Sequence, residues 1–240
     1  MELEYILTPL IIFVAFFCEA IFGMGGGFIS IPLLSILLGP KTGVLVVLVF
    51  QFFMGFLMFS TRKYTYWKVA MPMTITLSIG TILGSYMLSI FDDNLLRKFL
   101  AITIFIFLAK MILFPNLTFG DKPSKIWGFF TGALGGWFQG ITGISSPIFV
   151  MYLTSYALTK NVMRATLIYI FFATSVIRMG VSFSQNLFTE NMLWYILPSI
   201  PLFFLALFLG NHVHKKINDT YYRYTIYTIL FFSAITMLLK

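Results

Sequence analysis

The sequence predicts an all-α integral membrane protein made of two homologous repeats, and three observations lead to this prediction. Hydrophobic residues make up 59% of the 240 residues and charged residues 10%, whereas about a quarter of a soluble domain is charged. Two apolar runs are interrupted by clusters of glycine or small polar residues. Residues at fixed spacing recur in the first and second halves of the chain.

Apolar segments follow one another along the whole chain. They cover residues 5–22, 28–38, 43–60, 69–90, 95–114, 125–140, 147–158, 164–184, 192–211 and 220–239. A membrane span requires about 20 residues, so the segments 28–38 and 147–158, which each follow a break, are short for a crossing. We therefore predict that each repeat contains a broken or re-entrant helical hairpin and three transmembrane helices, about eight membrane segments in all.

The second half of the chain repeats the spacing of the first. A shift of 120 residues places Glu19 on Gln139, Gly23 on Gly143, and Gly25, Gly26 and Gly27 on Ser145, Ser146 and Pro147. Farther along, a shift of 126 residues places Pro72 on Pro198, Gly84 on Gly210 and Asp93 on Asp219. We predict a duplicated unit, with residues 1–120 as the first transmembrane repeat and residues 121–240 as the second.

Positive charges in the loops distinguish two ways in which the chain can pass the breaks. If the chain doubles back at each break, the repeats are inverted, and ten Lys and Arg residues lie on one side of the membrane against four on the other. If the chain runs straight through, the repeats are parallel and the division is eight against six. Because cytoplasmic loops collect Lys and Arg, the charges favour inverted repeats with both termini outside.

We expect the loops around Arg62, Lys122, Lys160 and Lys216 all to face the cytoplasm. Single cysteines placed in these loops, in a Cys18→Ala background, should resist a membrane-impermeant thiol reagent in intact cells. Labelling that alternates, with the first two loops reacting and the last two protected, would show that the chain runs straight through the breaks.

The two breaks form the candidate binding site. The first is the run Gly25 to Gly27, where the lack of side chains lets a ligand approach the backbone. The second contains Thr142, Gly143, Ser145, Ser146 and Pro147, with Ser146 expected as N-cap and Pro147 as the first helical residue. A helix that begins at each break would direct its N–H groups at an anion, and we expect these groups to carry most of the recognition. The alternative is that the small residues only allow close helix packing.

Glu19 and Gln139 occupy equivalent positions one helical turn before the two breaks. A carboxylate inside a membrane is costly and is functional by default. Glu19 is therefore interpreted either as a proton-coupling group or as a structural acid that hydrogen-bonds to the break. Gln139 is included among the substrate-binding candidates.

Two further polar residues lie within apolar segments, and both are secondary candidates. Gln51 is interpreted as a hydrogen-bonding residue between helices. Arg178 either neutralises an anionic substrate or extends toward Ser182 and Ser184 at the end of its helix, and we favour the second interpretation.

Other kinds of chemistry have little support in the sequence. Cys18 is the single cysteine, so we expect neither an intramolecular disulfide nor a metal site or cofactor. His212 and His214 are interpreted as part of a solvated basic turn. The net charge of +8 is spread over short loops, which argues against nucleic acid as a partner. A rhomboid-like protease requires Gly-x-Ser-Gly, and the run Gly143 to Ser146 lacks the final glycine, so we predict no catalytic residues.

The motifs at the breaks resemble those of the TauE/SafE sulfite exporter family. The resemblance rests on Gly-Met-Gly-Gly-Gly-Phe-Ile-Ser-Ile-Pro at residues 23–32, on its counterpart at residues 140–147, and on the duplicated short chain. It implies a multi-pass protein of the bacterial or archaeal cytoplasmic (inner) membrane that moves sulfite, sulfonates, sulfoacetate or related organosulfur anions. The second motif has Ser-Ser-Pro where many members are richer in glycine, which leaves the substrate open.

The breaks and the resemblance together predict a secondary transporter without enzymatic activity. A small sulfur-containing oxyanion, of the sulfite, sulfonate, sulfoacetate or thiosulfate type, would be held between the broken helices of the two repeats, with proton coupling as one option. The expected partners are this anion and the lipid bilayer, and a homodimer is left open. A passive anion channel and a transporter of an unrelated small anion are the alternatives, because the same helix dipoles would serve them.

Overall fold

A computed structural model describes residues 2–114, 125–156 and 158–214 of the chain. Within these ranges the chain forms α-helices and 3₁₀ turns but no strand, so the predicted all-α class is confirmed for this part of the chain. The helices are α1 (Glu2–Phe22), α2 (Gly26–Leu38), α3 (Pro40–Leu57), α4 (Trp67–Ile90), α5 (Asp93–Leu113), α6 (Lys125–Thr142), α7 (Ser146–Thr154), α8 (Lys160–Ser184) and α9 (Leu193–Val213). The 3₁₀ turns are Phe59–Tyr64 and Glu190–Met192.

The helices correspond to the predicted apolar segments in order, except that the last segment, 220–239, lies outside the described residues. Helices α2 and α7, which follow the two breaks, have only 13 and 9 residues. Five stretches among the described residues are long and apolar enough to cross a membrane: Leu3–Phe22, Pro40–Leu57, Trp67–Ile90, Asn161–Ser184 and Glu190–Val213. The count of about eight membrane segments stays a prediction.

The contacts within the chain divide it into two compact units. Among the described residues, unit 1 consists of 2–47, 91–114 and 189–214, and unit 2 consists of 48–90, 125–156 and 158–188. Unit 1 therefore contains α1, α2, α5, α9 and the beginning of α3, whereas unit 2 contains the rest of α3 with α4, α6, α7 and α8. Each unit takes helices from both halves of the sequence. The duplication itself is a relation between sequence halves and stays a prediction.

In unit 2, α4 and α6 pack backbone to backbone along a glycine seam. The seam consists of Gly80 and Gly84 on α4 and Gly132, Gly136 and Gly140 on α6. A Cβ atom on Gly80 would lie 2.1 Å from the Ala133 carbonyl oxygen, and one on Gly136 would lie 2.3 Å from the Leu77 carbonyl oxygen. Small residues one turn apart are typical of helices that approach this closely in membranes.

In unit 1, α1 packs on α9 in a similar way. A Cβ atom on Gly210 would lie 2.6 Å from the Ala20 Cβ and 2.9 Å from the Phe17 carbonyl oxygen. Farther along the same pair of helices, the rings of Phe16 and Phe203 meet edge to face with centroids 5.1 Å apart. The first helix of unit 1 is therefore fixed against α9 near its C-terminal end, where the first break begins.

The two helix pairs are equivalent under the shifts found in the sequence. A Cβ atom on Gly84 would lie 2.2 Å from the Trp137 carbonyl oxygen, just as one on Gly210 would lie 2.9 Å from the Phe17 carbonyl oxygen. The shift of 126 residues places Gly84 on Gly210, and the shift of 120 residues places Phe17 on Trp137. In each unit the first helix of one half thus packs on the fourth helix of the other half, which supports the proposed duplication.

Candidate functional site

The first break, in unit 1, is a glycine turn between α1 and α2. Gly23 and Gly25 have φ angles of 75° and 116°, values that residues with a side chain rarely adopt. The Gly23 N–H donates to the Glu19 carbonyl oxygen at 2.7 Å. Helix α2 begins at Gly26 with Gly25 as its N-cap, so the short helix predicted to start at this break is present.

The Glu19 side chain lies against the start of α2. It is 3% exposed, its carboxyl group is hydrogen-bonded to the Gly26 backbone, and its Oε2 atom has no hydrogen-bond partner among the described residues. A Cβ atom on Gly26 would lie 1.7 Å from this Oε2. The space beside Gly26 is therefore occupied by an acid of the same chain, whereas the sequence predicted that a ligand approaches the backbone there.

The second break, in unit 2, has the same backbone turn. Gly143 has a φ angle of 74°, and its N–H donates to the Gln139 carbonyl oxygen at 2.9 Å, as Gly23 does to Glu19. The Thr142 hydroxyl donates to the Phe138 carbonyl oxygen at 2.7 Å and accepts the Ile144 N–H at 3.0 Å. Thr142 therefore satisfies backbone groups that the break would leave unpaired.

The predicted start of the second short helix is wrong by one residue. Helix α7 begins at Ser146, its N-cap is Ser145, and Pro147 lies in its first turn. The Ser145 side chain does not cap the helix. Its hydroxyl instead donates to Gln139 Oε1 at 2.6 Å, because the turn at Gly143 brings the end of α6 back onto the start of α7.

Arg178 is held inside unit 2. The residue is 1% exposed, and its Nη1 atom donates to Gln51 Oε1 at 3.1 Å. Gln51 Nε2 donates in turn to the Gly143 carbonyl oxygen at 3.3 Å. The favoured interpretation, in which Arg178 extends toward Ser182 and Ser184, is therefore wrong. The interpretation of Gln51 as a hydrogen-bonding residue between helices is confirmed.

The candidate residues thus fall into one cluster in each unit. In unit 1 the cluster comprises Glu19, Gly25, Gly26 and Gly27. In unit 2 hydrogen bonds connect Arg178, Gln51, Gly143, Gln139 and Ser145, and the cluster also includes Thr142, Ser146 and Pro147, which adjoin these residues in the chain. Within the described ranges no group of three or more His, Cys, Asp or Glu could hold a metal ion.

One residue near the first break was not predicted as part of it. The His214 Nδ1 atom hydrogen-bonds the Ile21 carbonyl oxygen in the last turn of α1, although His212 and His214 were interpreted as a solvated basic turn. A donor at this position satisfies a carbonyl group that the end of a helix leaves free. The sequence carries one signal for it, since His214 follows Gly210 by one turn and therefore lies on the face of α9 that meets α1.

The described chain has helices long enough to cross a membrane, glycine turns between helices, a buried carboxyl group and a buried guanidinium. These features together are typical of membrane transporters. Polar and ionisable groups inside an apolar helical protein mark pathways for ions or substrates. Discontinuous helices supply such sites in secondary transporters.

The model of the family "Sulfite exporter TauE/SafE" matches residues 8–237. The chain therefore belongs to this family, and the resemblance seen in the sequence is confirmed. Membership identifies a multi-pass membrane transporter of the sulfite-exporter type with a small anion as substrate. It agrees with the prediction that the chain is not an enzyme. No curated protein and no solved structure matches the chain.

Proposed function

We propose that the chain is a secondary transporter that moves a small sulfur-containing oxyanion, of the sulfite, sulfonate, sulfoacetate or thiosulfate type, across the bacterial or archaeal cytoplasmic membrane. One observation at the second break carries the proposal. Gln139 is 1% exposed, and its Nε2 donor has no hydrogen-bond partner among the described residues. A buried donor without an acceptor costs free energy, and an oxyanion would supply the missing acceptor.

The shared geometry of the two breaks supports a transport domain built from two repeats. Gly23 at the first break and Gly143 at the second have φ angles near 75°. The Gly23 N–H donates to the Glu19 carbonyl oxygen, and the Gly143 N–H donates to the Gln139 carbonyl oxygen. Each is followed by a short helix. That a single anion is held by both breaks stays a prediction.

Reconstitution of the purified protein tests the proposed function. Proteoliposomes should take up at least one of sulfite, thiosulfate, sulfoacetate and taurine with saturation, and should exchange external for internal substrate in counterflow. Protein-free liposomes are the control for leakage. Flux without saturation or counterflow would identify a passive channel, and saturable flux of other anions alone would identify a transporter of an unrelated small anion.

A further inference from the structure

The Arg178 guanidinium has two hydrogen-bond donors that are not used within the described chain. Nη1 is bound to Gln51, but Nε and Nη2 have no hydrogen-bond partner there. Nε and Nη2 lie on the same edge of the planar guanidinium group, so their N–H bonds are parallel. This edge fits two oxygens of one oxyanion in a bidentate arrangement.

The charge of Arg178 also lacks a counter-charge among the described residues of its own unit. Residues 48–90 and 125–188 contain neither Asp nor Glu. A buried cation is costly unless an opposite charge pairs with it. An anionic ligand would provide both the charge and the acceptor oxygens that the guanidinium needs.

Part of the backbone at the start of α7 is not available to an anion. Pro147 has no N–H, and the Ile148 N–H donates to the Ser145 carbonyl oxygen at 3.0 Å. Of the first three residues of α7, only Ser146 has an N–H group to which neither of these exclusions applies. At the first break, the Gly26 backbone is already hydrogen-bonded to Glu19. Buried side-chain donors would therefore add to what the helix ends can offer an anion.

Hydrogen bonds place Arg178 in the same network as the second break. Arg178 donates to Gln51, Gln51 donates to the Gly143 carbonyl, and the Gly143 N–H donates to the Gln139 carbonyl. The unused donors of this network are Arg178 Nε, Arg178 Nη2 and Gln139 Nε2. All belong to residues that are about 1% exposed.

We propose that Arg178 is the charged anchor of an oxyanion site at the second break, with Gln139 as a further donor. Gln51 is a positioning residue, since it orients the guanidinium through Nη1 without using the bidentate edge. The ligand class is an oxyanion with at least two oxygens on one sulfur atom, as in sulfite or a sulfonate. This inference rests on the proposed function and assigns its binding residues.

The substitution Gln51→Glu tests the anchor without removing it. A carboxylate at position 51 would receive the same hydrogen bond and would neutralise Arg178 within the chain. The carboxylate cannot donate to the Gly143 carbonyl oxygen as Gln51 Nε2 does, and the new ion pair offsets this lost hydrogen bond. We expect the variant to unfold in detergent near the wild-type temperature, and to lose about tenfold or more in sulfite affinity. Affinity is read from the sulfite dependence of thermal stability and from sulfite counterflow. A merely structural Arg178 would leave both sulfite readouts unchanged.

Two substitutions of the arginine itself complete the test. Arg178→Gln should abolish sulfite-dependent stabilisation, and Arg178→Lys should retain part of it, because an ammonium keeps the charge but not the bidentate edge. Arg164→Gln removes the same charge from the same helix and is the matched control, with wild-type affinity expected.

Failures of the anchor and of the transport function give different results. If wild-type protein transports sulfite and both Gln51→Glu and Arg178→Gln transport it equally well, the Arg178 site is wrong and the proposed function stands. If sulfite stabilises wild-type protein in an Arg178-dependent way but none of sulfite, thiosulfate, sulfoacetate and taurine is transported, the site stands and the proposed function is wrong. If none of these four anions stabilises wild-type protein or is transported by it, both are wrong.

Discussion

Replacement of Gly80 or Gly136 by alanine should prevent α4 and α6 from packing, with the largest loss of stability among the changes considered. The added Cβ atom on Gly80 would lie 2.1 Å from the Ala133 carbonyl oxygen and 2.8 Å from the Trp137 amide nitrogen. Both neighbours are backbone atoms of a helix and cannot rotate away, so the helices must separate. Overpacking a core usually costs about 1 to 3 kcal/mol, and we expect a larger loss here.

The measurement is thermal unfolding in detergent, in which the amount of protein that remains monodisperse is recorded at each temperature. Gly180→Ala on α8 is the matched control, because no atom lies within 4 Å of the Cβ position there. Alanine favours a helix over glycine by about 1 kcal/mol, so the control should unfold at the wild-type temperature or above. Wild-type stability of both seam variants would contradict the backbone contact between α4 and α6.

The positions of the helices and breaks could be predicted because they depend on neighbouring residues. Glycine within an apolar run marks a turn with positive φ, and Gly23 and Gly143 have such angles. The exact start of α7 could not be predicted, since Ser145 and Ser146 are equally suitable as N-caps by residue type. Nor could the partner of the Ser145 hydroxyl be predicted, since it donates to Gln139 on the preceding helix and does not cap α7.

The environment of the buried charged residues depends on contacts that the sequence does not reveal. The partner of Arg178 is Gln51, 127 residues away in the chain, so nothing local indicates that the guanidinium stays inside the protein. Gly26 and Glu19 are closer in sequence, but their contact depends on the glycine turn between α1 and α2. The contacts of long side chains and the close approaches of the backbone therefore could not be predicted from neighbouring residues.

The two breaks differ in the chemical group that follows the common turn. At the first break, the Oε2 atom of Glu19 has no hydrogen-bond partner among the described residues. At the second break, the Nε2 donor of Gln139 also has no hydrogen-bond partner there. An acid can exchange a proton, whereas an amide cannot. Proton coupling at Glu19 therefore stays a prediction that is separate from anion binding at the second break.

Glu19→Gln should abolish sulfite accumulation driven by a proton gradient while counterflow of sulfite continues. The amide keeps an acceptor for the Gly26 backbone but cannot release a proton, and Gln139 is already accommodated beside the equivalent turn. Both activities are measured in the same proteoliposomes, with and without a pH gradient. Glu4→Gln on α1 is the control, because this acid accepts a hydrogen bond from Tyr195 at the far end of the helix. A proton-coupling group is needed for accumulation driven by the gradient but not for counterflow. Equal loss of both activities in Glu19→Gln would therefore show that the carboxyl group is structural.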